Sequence, residues 1–180
     1  YCRESAKTLK KLIQENKGKG GQMPDNARDT RKVFVVHGHD DEMKIAVART
    51  LELLGLQPVI LHEQANEGKT IIEKFEKHAD VGFAVVLLSP DDMAFKRGSA
   101  ADSARPRARQ NVILELGYFA GKRGRGKVLP LYREGSDLEL PSDFAGVAYT
   151  AYDRADGKWR YELGRELRAA GYEVDMNRLP

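Results

Sequence analysis

The sequence predicts an α/β fold in which a doubly wound sheet of five mainly parallel strands is covered by helices on both faces. Short apolar segments alternate with segments whose apolar residues recur at helical spacing. The apolar segments lack the polar alternation of a half-exposed sheet, which indicates strands buried on both faces. Right-handed crossovers between parallel strands then place helices on both sides of the sheet.

Predicted strands and helices follow one another from residue 31 onward. The strands are Lys32–Val36, Pro58–His62, Gly82–Ser89, Lys127–Tyr132 and Val147–Tyr152. The helices are Asp41–Leu54, Thr70–Ala79, Ala108–Arg123 and Trp159–Ala170. The polar stretch Phe95–Arg105, rich in small residues, predicts a mobile loop.

The first 30 residues are predicted to be a connector, and residues 31–180 one folded domain. Ser5–Asn16 carries apolar residues at helical spacing, and the glycines and proline that follow interrupt regular structure. The chain opens on Tyr1 rather than Met, which favours a missing upstream domain.

Composition excludes several classes of protein. Lysine and arginine number 30 against 27 acidic residues, a net charge of +3 that does not imply nucleic-acid binding. Cys2 is the only cysteine, so an internal disulfide is excluded and a reducing cytoplasm is expected. The apolar run Phe83–Leu88 is far shorter than the roughly 20 residues of a membrane span. The basic loops Arg105–Arg109 and Lys122–Lys127 are interpreted as solvated surface, with phosphate contact as the alternative.

Ligands of doubly wound sheets bind beyond the carboxyl ends of the strands, which directs attention to four loops. These are His37–Asp41, Glu63–Lys69, Ser89–Arg109 and Arg133–Phe144. Beside them, Glu115 falls on the border of the apolar stripe of its helix and is expected to be partly desolvated. The alternative is a solvated glutamate paired with Lys122 or with a basic loop.

The turn after the first predicted strand contains His37, Gly38 and His39. Gly38 permits backbone conformations that let a phosphate approach, although a glycine after a strand often marks only a structural turn. An H-x-H sequence can bind a metal, but no clear third ligand accompanies it, so no metal is predicted.

Several segments resemble the TIR-like domain of predicted bacterial nucleotide-binding proteins. They are VFVVHGHD, EQANEGKT, VGFAVVLLSPDD, RARQNVILELGYFAGKRG and LPSDFAGV. The block QNVILELGYFAGK is the most specific, followed by the LPSD turn.

The resemblance implies a flavodoxin-like TIR fold and an effector of antiphage signalling that consumes NAD+. It implies that Glu115 is the catalytic residue and that the nucleotide pocket includes Val36, His37, Gly38, Asp40 and Asp143. It further implies activation by self-association under an upstream sensor, with loop Glu63–Lys69 as a common self-association element of the fold. NAD+ is then the substrate, and no separate cofactor, nucleic acid or membrane is expected.

One carboxylate suffices for this chemistry. Nicotinamide leaves as a neutral ring, so no acid is needed to protonate it, in contrast to ordinary glycosidases. A fixed carboxylate stabilises the positive charge that grows on the ribose. Asn111, one turn before Glu115, is expected either to bind the ribose or Glu115, or to cap the helix.

Other functions fit less well. A phosphate-accepting receiver domain shares the fold, and Asp40, Asp41, Asp91 and Asp92 resemble its acidic residues, but the hydroxyl and lysine of its later strands are missing. Glu63 stands where a P-loop needs glycine. A non-catalytic TIR interaction module and a nucleoside or deoxyribose transferase with a covalent glutamate remain open, as does the choice between a linear and a cyclic ADP-ribose product.

Overall fold

The computed structural model describes residues 31–61, 79–141 and 148–180. The predictions for the connector 1–30, for the loop and helix between residues 63 and 78, and for Asp143 lie outside these ranges. The strands are β1 (Lys32–Val36), β2 (Gln57–Ile60), β3 (Phe83–Leu88), β4 (Asp92–Ala94), β5 (Arg105–Arg107), β6 (Val128–Arg133) and β7 (Thr150–Tyr152). The α-helices are α1 (Asp41–Leu53), α2 (Gln110–Arg123) and α3 (Lys158–Ala169).

Five of the strands form one parallel sheet in the order β2-β1-β3-β6-β7. The chain moves outward from β1 to β2, then returns past β1 to β3 and continues to the other edge. This order confirms the predicted doubly wound, flavodoxin-like α/β fold. The strand order reverses between β1 and β3, where ligands of such sheets bind beyond the carboxyl ends.

Alternate strand residues face two separate cores. On one face, α1 and α3 cover the sheet, and Met43, Val47, Trp159 and Leu163 belong to that core. On the other face, α2 packs on the sheet through Val112, Leu116 and Phe119. In the part of the chain that the structure describes, no helix is both long enough and apolar enough to cross a bilayer.

Local signals in the sequence fix the ends of the helices that border the site. The side chain of Asp40 caps α1 by accepting a hydrogen bond from the backbone N–H of Met43 at 2.9 Å. Gly124 ends α2 with φ of 83°, a conformation that residues with a side chain rarely adopt. α1 follows β1, and α2 follows β3 and the β4–β5 hairpin, so both helices start at the carboxyl edge of the parallel sheet.

The stretch between β3 and α2 is more regular than the sequence predicts. β4 and β5 pair antiparallel, with Asp92 opposite Arg107 and Ala94 opposite Arg105. The backbone N–H of Glu139 donates to the carbonyl of Pro106 at 2.8 Å, which ties the hairpin to the segment after β6. Three-residue strands that are at most partly buried carry no hydrophobic periodicity, so part of this hairpin reads as a polar loop in the sequence.

Candidate active site

Glu115 is a partly buried carboxyl group without a hydrogen-bond or ion-pair partner among the described residues. Val112, Leu116 and Phe119 hold α2 against the sheet, and Glu115 lies at the edge of that buried stripe. Burial alone raises the pKa of Glu115 from 4.5 to about 7. A carboxyl group in this state changes charge near neutral pH, which is a common property of functional sites.

Lys122, the expected neutralising partner of Glu115, is engaged elsewhere. Its Nζ donates to the hydroxyl of Tyr118 at 2.7 Å and lies 5.1 Å from the centre of that ring. Lys122 thus contacts Tyr118 and not Glu115, so the solvated ion pair between Glu115 and Lys122 does not form. The carboxylate stays available for a ligand.

The other residues predicted for the nucleotide pocket have varied surroundings. Asn111 is exposed and forms no hydrogen bond with the described residues, so it neither caps α2 nor holds Glu115. The side chain of Val36 is buried in the core under α2, which leaves only its backbone for a ligand. His37 is partly buried, and its Nδ1 lies 2.8 Å from the carbonyl oxygen of Gly38. Their roles in binding nucleotide remain predictions.

Gly38 lies against the loop that follows β3. A Cβ at this position would overlap the carboxylate of Asp91 and would come within 3.2 Å of Oγ of Ser89. The backbone N–H of His39 donates to Oδ2 of Asp91 at 3.2 Å. Oγ of Ser89 is buried and has no hydrogen-bond partner within the described ranges. A larger residue at position 38 would therefore have to displace the carboxylate of Asp91, which occupies the space beside Gly38.

Asp40 belongs to a network of charges that joins α1 to the ends of β6 and β7. Nε of Arg133 donates to Oδ2 of Asp40 at 2.8 Å, and Nη2 of Arg133 donates to Oε2 of Glu42 at 2.8 Å. The hydroxyl of Tyr152 donates to Oε1 of Glu42 at 2.8 Å. Burial opposes ionisation of Glu42, but the bonds from Tyr152 and Arg133 hold its pKa below the usual value.

This network changes what is expected of Asp40. One oxygen caps α1 and the other accepts from Arg133, so both are engaged within the protein. Asp40 is well placed to fix the loop after β1, and any contact with nucleotide would have to share these oxygens. The sequence placed Arg133 in the candidate loop Arg133–Phe144 but did not predict its ion pairs, because its partners are more than 90 residues away in the chain.

A second pair of side chains joins the loop after β1 to the start of α2. Nη1 of Arg109 lies 2.6 Å from Nε2 of His39. A guanidinium can only donate, so Nε2 of His39 is the acceptor and carries no proton. Within the described ranges, no group of three histidine, cysteine or carboxylate side chains could hold a metal ion. The prediction that the chemistry needs no metal stays a prediction.

The parallel sheet order and the carboxyl-edge site fit a TIR-type α/β domain. A family model described as "CAP12/Pycsar effector protein, TIR domain" matches residues 32–154. The chain belongs to this family of TIR domains from bacterial antiphage effectors. The match confirms the resemblance to TIR-like domains, which rests on sequence blocks that include the loop after β1 and the helix α2.

Three relatives illustrate the similarity. "Uncharacterized protein YuaY" of Escherichia coli (strain K12) is 51% identical over 150 residues, which cover 83% of this chain and 48% of that protein. "Protein tirC" of Dictyostelium discoideum is 39% identical over 79% of this chain and 72% of its own length. "Pycsar effector protein BcPycTIR" of Burkholderia cepacia is 31% identical over 83% of this chain and 48% of its own length. The chain therefore spans about half the length of two of these relatives.

Proposed function

We propose that this domain is the NAD+-cleaving effector of an antiphage signalling protein, with Glu115 as its catalytic residue. The observation that carries the proposal is the partly buried Glu115 carboxyl group, which has no hydrogen-bond or ion-pair partner among the described residues. It lies in the sequence block that is most specific to the family. The names of the Pycsar relatives supply the effector role.

The proposed reaction needs one ionised carboxylate and water. The bond between C1′ of the ribose and the nicotinamide nitrogen breaks, and its electron pair neutralises the pyridinium ring. Water then adds its oxygen to C1′ and loses a proton, giving nicotinamide, ADP-ribose and H+. The Glu115 carboxylate stabilises the cationic ribose between these events, and its low-polarity surroundings strengthen that attraction. Attack by an internal nucleophile instead of water would give a cyclic isomer.

Activation by self-association is the second part of the proposal. Leu114 is 73% exposed on the outer face of α2, away from the sheet. A Cβ at Gly117 or at Gly121 would meet no atom within 4 Å, so this helix face is open. An exposed leucine on an open helix face leaves room for another protein surface to pack there. An upstream sensor in the same protein or complex would gather copies in the cytoplasm and raise their activity.

Nicotinamide release from NAD+ by artificially clustered protein tests the function. Wild type and Glu115→Ala are compared at equal folded fraction, with Glu139→Ala as a control that removes an exposed carboxylate near the same edge. We expect release from wild type and the control, and its loss from Glu115→Ala. The ribose product, separated by chromatography, assigns hydrolysis or cyclisation. No release from clustered wild type would favour the non-catalytic interaction module.

A further inference from the structure

Two arginines at the entrance to α2 have no carboxylate partner within the described ranges. Arg107 ends β5, and Arg109 is the N-cap residue of α2. Both side chains are partly buried. Nε of Arg107 is fully buried and finds no hydrogen-bond acceptor in the described part of the chain. Burying a donor without an acceptor costs free energy. The rest of the Arg107 guanidinium is not buried in this way, so its other N–H groups are the ones that an anion can reach.

The two arginines flank a residue that is buried in the core. Arg107 ends β5, and Arg109, with φ of −57° and ψ of 148°, precedes the first turn of α2. Ala108, which lies between them, is 4% exposed and packs in the core under α2, so Arg107 and Arg109 point away from that core.

The contact with His39 places the Arg109 guanidinium at the carboxyl edge of the sheet. His39 lies in the loop after β1, where the strand order reverses. The bond to Nε2 of His39 uses one of the five N–H groups of Arg109, and the others stay available for an anion. Arg109 forms no ion pair with Asp91. The carboxylate of Asp91 instead lies against Gly38 and accepts from the backbone N–H of His39.

The first turn of α2 adds positive charge at the same place. It contains no acidic residue, and no side chain caps it. The first backbone N–H groups of a helix have no partner within the helix, and the helix dipole makes this end favourable for anions. The turn at Gly38, in contrast, already has the Asp91 carboxylate against it, and two anions in contact repel each other.

We propose that Arg107, Arg109 and the first turn of α2 bind the diphosphate of a nucleotide. The inference rests on the proposed function in taking that nucleotide to be the dinucleotide substrate. Glu115 lies six positions after Arg109, which corresponds to about 9 Å along the helix axis. A dinucleotide is longer than this distance, so a diphosphate bound at Arg109 leaves a ribose within reach of Glu115.

Calorimetric binding of ADP and of adenosine tests the site without requiring catalysis. The variants are Arg107→Gln and Arg109→Gln, with Arg49→Gln as the control, because Arg49 is exposed on α1, outside the loops at the carboxyl edge. We expect each of the first two to weaken ADP binding roughly tenfold or more, since a charge-assisted bond is lost. Adenosine binding should not change, and Arg49→Gln should alter ADP binding less than about twofold.

Arg109→Lys separates the contribution of bonding geometry to ADP binding from that of charge. It also tests the site if the glutamine variants do not fold. It should retain part of the ADP affinity, because lysine keeps the charge but not the planar guanidinium. ADP affinity equal to wild type in Arg107→Gln and Arg109→Gln, equal losses for adenosine, or an equal loss in Arg49→Gln would overturn the site. Wild type that binds ADP no more tightly than adenosine would overturn it too. ADP binding that depends on these arginines, in a protein that releases no nicotinamide, would uphold the site and reject the proposed NAD+ cleavage.

Discussion

The carboxylate of Asp91 stands where the Cβ of any larger residue would lie at Gly38. The loops after β1 and β3 therefore meet through a glycine and an acidic side chain, at the place where the strand order of the sheet reverses. This contact fixes the shape of the carboxyl edge next to His39 and Arg109.

Gly38→Ala is expected to destabilise the fold by about 1 to 3 kcal/mol, because the added methyl group overlaps the Asp91 carboxylate. Asp91→Ala in the same chain should restore most of that loss by removing the obstructing group. Urea unfolding of the two single variants and the double variant measures the coupling. Gly117→Ala is the control, since it adds a methyl group to a helix in open space and should stabilise the protein by up to about 1 kcal/mol. A double variant no more stable than Gly38→Ala would contradict this explanation.

Arg133→Met is expected to lower the free energy of unfolding by about 2 to 3 kcal/mol at pH 7. The side chains of Arg133 and Asp40 are 25% and 16% exposed, so the change leaves a largely buried carboxylate unpaired. Arg154→Met is the matched control, because Arg154 also faces Glu42 but is 78% exposed and 3.9 Å away. It should cost less than about 0.5 kcal/mol. Equal losses in the two variants, measured by chemical unfolding, would show that the buried network contributes nothing specific.

Local patterns in the sequence were sufficient for the main sheet and for the orientation of α2. The buried strands are short continuous apolar runs, whereas the helices carry apolar residues at helical spacing, and the border position of Glu115 follows from the helical period alone. The family resemblance supplied the role of Glu115 and the type of substrate, which no periodicity encodes.

Contacts between distant residues were not predictable in the same way. Arg133 and Asp40, or Arg109 and His39, come together only through the order of the strands. Lys122 was a reasonable partner for Glu115 by sequence, but the Tyr118 hydroxyl one turn away competes for it. The β4–β5 hairpin was missed because pairing between two three-residue strands leaves almost no pattern.

Glu115→Gln is expected to stabilise the folded protein at pH 8. The pKa of Glu115 is raised to about 7 by burial, so the folded state binds its proton more tightly than the unfolded chain does. The contribution of Glu115 to stability therefore falls as pH rises from about 4.5 to about 7. At pH 8 the variant should be more stable than wild type by about 1 to 2 kcal/mol. This gain is smaller than the full pKa shift would give, because solvent screens part of the charge of a partly exposed carboxylate.

Unfolding curves at pH 5 and pH 8 measure this difference. Most of the advantage of Glu115→Gln should be absent at pH 5, where the wild-type carboxyl group is largely protonated. Glu139→Gln, which changes an exposed carboxylate, should give no comparable gain at either pH. A constant difference between Glu115→Gln and wild type across this range would mean that the carboxyl group is not desolvated.

The pH dependence of nicotinamide release by clustered wild-type protein, at NAD+ concentrations well below KM, tests the central claim most directly. Under these conditions the rate reports ionisation in the free protein. Catalysis requires an ionised Glu115, so the rate should rise with pH through about 7 and level off above it. At pH 6 the rate should be roughly a tenth of the plateau value, since each unit below the pKa leaves about tenfold less carboxylate. A rate that is flat between pH 5.5 and pH 8.5, in protein that stays folded, would contradict the assignment of catalysis to this carboxyl group.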